Sequence, residues 1–197
     1  EGFVRERLSS LGLGDDGLSP RFAQPLDILQ GKRDIFFQQP RHHYFPELPQ
    51  IQFYDRAAFP WLADVEAATD QIRAEAMDII TDDRAVSPYV TRSQKDRPQS
   101  SQLGMLENPN WSACFLWKDG QIVPENAARC PKTLRALEGV PFSQAQGRMP
   151  SVLFSLLRPG THIPPHTGML NSRLICHLPL VIPEKCRFRV GNEIRQW

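Results

Sequence analysis

Three of the five histidines fall within PGTHIPPHTGMLNSRLICHLPL, residues 159–180. His162 and His166 stand four residues apart, a spacing that on a helix would aim both imidazoles at one metal ion. Pro164 and Pro165 lie between them, so no helix runs through this stretch. His166 is therefore read on a proline-stiffened loop, with Gly168 two residues on. Non-haem iron centres usually place a carboxylate at that second position, where it joins a distant histidine in a facial triad. Glycine supplies no carboxylate. A metal bound here would have histidine ligands and more open positions.

The residues after the loop, Ser172 to Leu180, read as a strand, in which side chains alternate between faces. Leu174, Cys176, Leu178 and Leu180 make one apolar face, expected in the core. Arg173, Ile175 and His177 share the other, which suits a cavity that binds an anion. In the run SVLFSLL, Ser155 alternates with Leu153 and Leu157. A hydroxyl in such a strand needs a partner, and a ligand carboxylate is one candidate. Plainer readings stand beside these. His177 also reads as a hydrogen-bonded core or surface residue, Arg173 as a solvated strand residue, and Trp111 and Trp117 as core.

Strands and helices must hold these groups. Residues 1–35 read as helical, with Gly31 as a stop. Ile51 and Phe53 suit a strand. Leu62, Val65, Ala68, Ile72, Ala76 and Ile79 recur at three- and four-residue steps, predicting one amphipathic helix packed on a sheet. Residues 91–110 read as a polar loop, WSACFLW as a strand, and KDGQ as a turn with Gly120 at positive φ. CPKTLRALEG reads as a short helix with Pro131 in its first turn. Val152–Leu157, Arg187–Val190 and Glu193 onward read as strands, with a tight turn at Gly191 and Asn192. Helices first and strands later point to α+β, or to a β-barrel or jelly roll with helical supports.

Composition narrows the classes. The chain has 197 residues, 41% of them hydrophobic, and 18 prolines, which favour short strands and ordered loops. A net charge of +1 gives no general pull on nucleic acid or anionic membrane. No apolar run reaches the roughly 20 residues of a membrane span. No secretory leader is read, although a first residue of Glu1 leaves room for an upstream segment. Cys114, Cys130, Cys176 and Cys186 form no C-x-x-C pair. They read as buried free thiols in a reducing compartment, hence a cytoplasmic location.

Taken in order, YFPELP, FYDR, FPWL, NWSACFLWKDG, PENAARCPKTL, FSLLRPGTHIPPHTG, NSRLICHLPLVIP and CRFRVGNEIRQW resemble the aspartyl/asparaginyl β-hydroxylase family, its bacterial members most closely. The resemblance covers residues 36–197, the expected oxygenase domain, preceded by a helical segment at 1–35. It implies a mostly β, double-stranded β-helix (jelly-roll) fold with helical supports. It also implies an enzyme using Fe(II) and 2-oxoglutarate, whose two-histidine iron site carries glycine in place of the usual carboxylate. On that resemblance His166 is an iron ligand, and Trp111 and Ser155 line the 2-oxoglutarate site. His177 reaches cosubstrate and substrate carboxylates, and Arg173 contacts the substrate's acid group. Ile175 stands where vertebrate members carry another arginine. The family's second iron histidine and its 2-oxoglutarate arginine come later than Trp197, so the last jelly-roll strands are expected beyond this chain. The implied reaction is hydroxylation of an aspartyl or asparaginyl β-carbon in a peptide or small acidic substrate. Alternatives are a lipid acyl chain, a carrier-bound amino acid, or a degenerate jelly roll serving as a binding module.

Overall fold

The structure, a computed structural model, describes residues 2–12, 19–82, 84–92, 104–145 and 147–197. It parts into two compact units. One comprises residues 39–48 and 55–184, the other residues 1–38, 49–54 and 185–197.

The first unit is built on one strand. β2, Trp111–Lys118, is the apolar run WSACFLWK. β4, Val152–Leu157, pairs antiparallel along one edge, from Trp111 opposite Leu157 to Trp117 opposite Val152. The short strands β1 (Ser87–Pro88) and β3 (Gln121–Ile122) pair antiparallel with the two ends of its other edge. Partners in a ladder share a face. Ser112, Cys114, Leu116, Phe154 and Leu156 therefore point one way. Trp111, Ala113, Phe115, Leu153, Ser155 and Leu157 point the other.

The first of these faces meets the helices. α3 (Leu62–Ala67) and α4 (Thr69–Ile80) carry the apolar spacing expected of a single helix. The chain breaks at Ala68, φ −91° and ψ 5°, where its N–H bonds Val65 O at 3.2 Å and tightens the last turn of α3. Val65, Ile72, Ala76 and Ile79 still land inward, in one cluster with Cys114, Leu116, Cys130 and Phe154. Ile79 and Leu116 are fully buried. Each such side chain contributes about 1.5–3 kcal/mol over an exposed one.

α5, Pro124–Ala127, and α6, Pro131–Ala136, follow the β2–β3 hairpin. Its two-residue turn holds Asp119 at φ 53° and Gly120 at φ 80°. Both values are positive, as a twisted hairpin demands. Glu75 projects from α4 to the start of α6. Its carboxylate accepts from Lys132 N at 2.9 Å, Thr133 N at 2.8 Å and Thr133 Oγ1 at 2.7 Å. Arg129, between α5 and α6, donates to Asp82, just past the end of α4, at 2.9 Å.

The second unit holds α1 (Gly2–Ser10), α2 (Pro20–Leu29) and the hairpin of β5 (Arg187–Val190) with β6 (Glu193–Gln196). Gly191 turns that hairpin at φ 58°, and an added Cβ there would meet Phe36 and Gln52 at 2.5 Å. Phe53 packs edge-on against Phe188, ring centroids 6.2 Å apart, beneath the Arg195 guanidinium.

Four expectations need correction or restriction. Ile51 and Phe53 lie in no strand. Residues 172–180 run extended but join no ladder, so their side chains are not sorted by a sheet. Leu178 and Leu180 do reach the core, whereas Leu174 and Cys176 are exposed. The expected buried thiols are thus borne out at Cys114 and Cys130 but not at Cys176, which is exposed, or Cys186, which is half-buried. Most of the loop expected at 91–110, namely 93–103, lies outside the described residues. Its flanks are joined by a parallel bridge between Val90 and Leu106.

Candidate active site

The sheet face turned away from the helices carries two of the candidate residues, Trp111 and Ser155. Trp111, at the start of β2, is buried and donates its indole N–H to Ser155 Oγ at 3.3 Å across the ladder. Tyr89 follows β1 and donates its backbone N–H to Trp111 O at 2.8 Å. Its ring stacks on the indole with centroids 4.4 Å apart, and lies parallel to Phe115 at 6.4 Å. The His166 ring lies beside the indole, tilted 47° to it, with ring centroids 5.8 Å apart. The structure thus brings together Trp111, Ser155 and His166, three residues far apart in sequence.

The loop bearing His166 is not helical, as its prolines dictate. Ile163 anchors it by packing against the cluster of Val90, Met105 and Trp111. His166 Nδ1 lies 2.9 Å from Pro164 O. A carbonyl only accepts, so Nδ1 carries the proton, and Nε2 of the neutral ring keeps its lone pair. Residues that ligate metals are commonly oriented in this way. The ring is exposed, and Gly168 adds no side chain beside it.

Beyond His166 the loop is held by a distant strap. Arg41 N bonds Gly168 O at 2.8 Å, and His42 N and His43 N bond Met169 O at 3.0 and 3.1 Å. His43 and Leu170 form a parallel bridge. Asn171, 8% exposed, closes the pairing through its amide. It accepts from Phe45 N at 2.6 Å and donates to Phe45 O at 2.8 Å. Tyr89, Ile163, Asn171 and the strap escaped the sequence reading. None carries a local signal, because each depends on a partner distant in sequence. His42 and His43 are near the loop through their backbone, but no group of three metal-ligating side chains occurs among the described residues.

Arg173 and His177 lie on the extended run 172–180. Arg173 is half-buried, with no hydrogen-bond or ion-pair partner among the described residues. No hydrogen bond ties it to Trp111, Ser155 or His166. The His177 ring reaches solvent, yet the protein atoms around it desolvate the imidazole and lower its pKa from the usual 6.5. Near neutral pH it is an uncharged donor or acceptor, and Arg173 carries the fixed positive charge. Ile175 between them is 69% exposed. The far end of the run is pinned by Arg73 Nε, which donates to Leu180 O at 2.7 Å.

Among the described residues, His166 fits one ligand position of a metal centre, and a complete set of protein ligands is not assembled. Ser155 and Arg173 supply a hydroxyl and a cation suited to a carboxylate. Tyr89, Trp111 and Phe115 supply an aromatic wall.

Comparison with known proteins gives this arrangement a context. The sequence model described as Aspartyl/Asparaginyl beta-hydroxylase matches residues 66–197. The ornithine lipid ester-linked acyl 2-hydroxylase of Rhizobium tropici is 30% identical over 156 residues, 78% of this chain and 51% of that protein. Aspartate beta-hydroxylase domain-containing protein 2 of Xenopus tropicalis is 29% identical over 160 residues, 81% of this chain and 41% of the relative. The aspartyl/asparaginyl beta-hydroxylase of Mus musculus is 46% identical over 96 residues, 47% of this chain and 13% of its own length. The chain spans about half or less of these relatives. The family match covers most of it, including every residue of the site face and the loop, and the chain belongs to the aspartyl/asparaginyl β-hydroxylase family.

Proposed function

We propose that this protein is a hydroxylase dependent on Fe(II) and 2-oxoglutarate, acting on the β-carbon of an aspartyl or asparaginyl unit in a peptide or amino-acid-derived substrate. A jelly roll over 36–197 is part of the same reading, with the antiparallel β2–β4 ladder as its support. The observation that carries the proposal is the juxtaposition of His166, Trp111 and Ser155 in a chain of this family. When bound, iron and 2-oxoglutarate would activate dioxygen, the oxidant that an unactivated C–H bond requires.

The chain's own residues do the positioning. His166 offers Nε2 as a metal ligand, because the Pro164 carbonyl holds the proton on Nδ1. Ser155 accepts from Trp111, which leaves its own O–H to donate to a carboxylate of the cosubstrate. Arg173 holds the acid group of the substrate. His177, neutral near pH 7, contributes a hydrogen bond rather than a charge.

A second reading, an acyl chain as substrate, is favoured by the exposed Ile175 beside Arg173. The two readings share one piece of chemistry. The β-carbon of aspartate adjoins its carboxylate, and carbon 2 of an acyl ester adjoins its carbonyl. In both, the reacting group is a methylene next to a carbonyl.

The test uses the intact protein supplied with Fe(II), 2-oxoglutarate and an aspartate-containing peptide. His166→Ala should lose stoichiometric iron and succinate formation together. Retention of stoichiometric Fe(II) by that variant would overturn the assignment. Arg173→Ala should keep substrate-independent succinate formation but lose peptide hydroxylation about ten- to a hundredfold, the size of one charge-assisted hydrogen bond.

A further inference from the structure

Asn171 serves neither the metal-ligand nor the anion role, yet it stands between them, after His166 and two residues before Arg173. The stretch that joins His166 to Arg173 is paired to the strap in parallel, with His43 opposite Leu170. Up to Met169 the pairing is made by backbone alone. Arg41 N donates to Gly168 O, and His42 N and His43 N donate to Met169 O.

At the next step a side chain takes over. Phe45 N donates to Asn171 Oδ1 at 2.6 Å, and Asn171 Nδ2 donates to Phe45 O at 2.8 Å. A carboxamide offers the same donor and acceptor as a peptide group, so it can stand in for the next ladder bond. The backbone of residues 171–173 bends at this point. Asn171 therefore carries the pairing one step further while its own main chain turns toward Arg173. The residue is only 8% exposed, and burial of an amide is costly unless both of its groups are met, as they are here.

Arg173 depends on that hold. Its side chain has no hydrogen-bond or ion-pair partner among the described residues, so its place is set through its backbone. The run after it joins no ladder, and the far end of that run is pinned only at Leu180, by Arg73. The His166 end is secured separately, by Ile163 in its apolar cluster and by the backbone bonds at Gly168 and Met169.

We propose that Asn171 is a positioning residue, which fixes Arg173 relative to His166 by clasping Phe45 and so sets where the acid group of the substrate lies. The proposal rests on the function put forward above.

Binding is measured by calorimetry on the intact protein, so that turnover is not the readout. The probes are Mn(II), and then the tripeptide Gly-Asp-Gly added to protein holding Mn(II) and 2-oxoglutarate. Asn171→Ala should weaken tripeptide binding about tenfold, the lower end of the loss expected for Arg173→Ala itself. Its Mn(II) affinity should stay within about twofold of wild type, because the His166 end keeps its own anchors. In an Arg173→Ala background, Asn171→Ala should change tripeptide affinity by less than about twofold, since the group it positions is gone; a general loosening of the fold would cost the same factor in both backgrounds. Asn171→Asp keeps the bond from Phe45 N and loses the one to Phe45 O. It serves if the alanine form fails to fold, and should show the same pattern with a loss of about threefold. Undiminished tripeptide affinity, equal losses in the two backgrounds, or loss of Mn(II) binding together with tripeptide binding overturns the positioning role alone. Failure of the wild type to bind Mn(II) or the tripeptide overturns the proposed function, and the positioning role with it.

Discussion

Replacing Glu75 by alanine should destabilise the protein by about 2–4 kcal/mol without touching the candidate site. The carboxylate takes three hydrogen bonds from the first turn of α6, at 2.9, 2.8 and 2.7 Å. Helix starts leave such N–H groups without intrahelical partners. Lys132 is exposed, so water replaces the lost acceptor there at small cost. Thr133 is 3% exposed, so its N–H and hydroxyl would both be left buried and unmet. An unsatisfied buried polar group costs roughly 1–3 kcal/mol, and a lost cap about 1 kcal/mol. For a chain of this size, 2–4 kcal/mol lowers Tm by about 4–16 °C. Thermal and urea unfolding of wild type, Glu75→Gln and Glu75→Ala would measure it, with glutamine intermediate because it keeps one acceptor. A loss below about 0.5 kcal/mol for the alanine variant would refute the reasoning, since it would mean that Thr133 finds other partners.

Gly120→Ala places a Cβ 2.8 Å from Met149 O at φ 80°, and should cost about 2–4 kcal/mol in urea unfolding. In native protein at pH 8, a thiol reagent should label Cys176 and Cys186 and spare Cys114 and Cys130. The latter two are buried, and burial pushes Cys130 up to about 11. Rapid native labelling of all four thiols would contradict the burial. For His177 the folded pKa lies below the usual 6.5 because the charged ring is desolvated. The unfolded chain therefore binds the proton first, and stability falls as pH drops from 6.5 toward the folded value. Wild type should lose more Tm across that window than His177→Gln, and equal slopes would show that the ring titrates freely.

The strands at 152–157 and 187–190 and the turn at Gly120 were legible from sequence, because each follows from a local pattern or one backbone requirement. So were the apolar positions of α3 and α4, since their spacing fixes one face whether or not the helix breaks at Ala68. Pro164 and Pro165 correctly ruled out a helical metal site. The reading failed where partners decide the outcome. Alternation in SRLICHLPL predicted a strand, but a strand requires a ladder, and the run has none. The strap was invisible because the bond between Phe45 and Asn171 spans 126 residues. Nothing local marks a polar amide that mimics a neighbouring strand's backbone. Tyr89 was missed for a related reason, since only the register of β1 on β2 brings its ring onto Trp111.

The loop around His166 shows how these pieces act together. At one end Ile163 is seated in the cluster that also buries Trp111, so the same apolar contact places the loop and the aromatic wall. At the other end Gly168 and Met169 are bonded to the strap, and Asn171 to its last residue. His166 lies midway, with Pro164 and Pro165 restricting the backbone before it and Pro164 O fixing its tautomer. The conformational entropy of this segment is thus spent during folding rather than on binding a ligand. The two clamps are independent, one hydrophobic and one hydrogen-bonded. Loosening the first should disturb the wall and His166 together, whereas loosening the second should spare the wall and disturb what lies between His166 and Arg173. That division separates the part of the site that would hold the cosubstrate from the part that would choose the substrate.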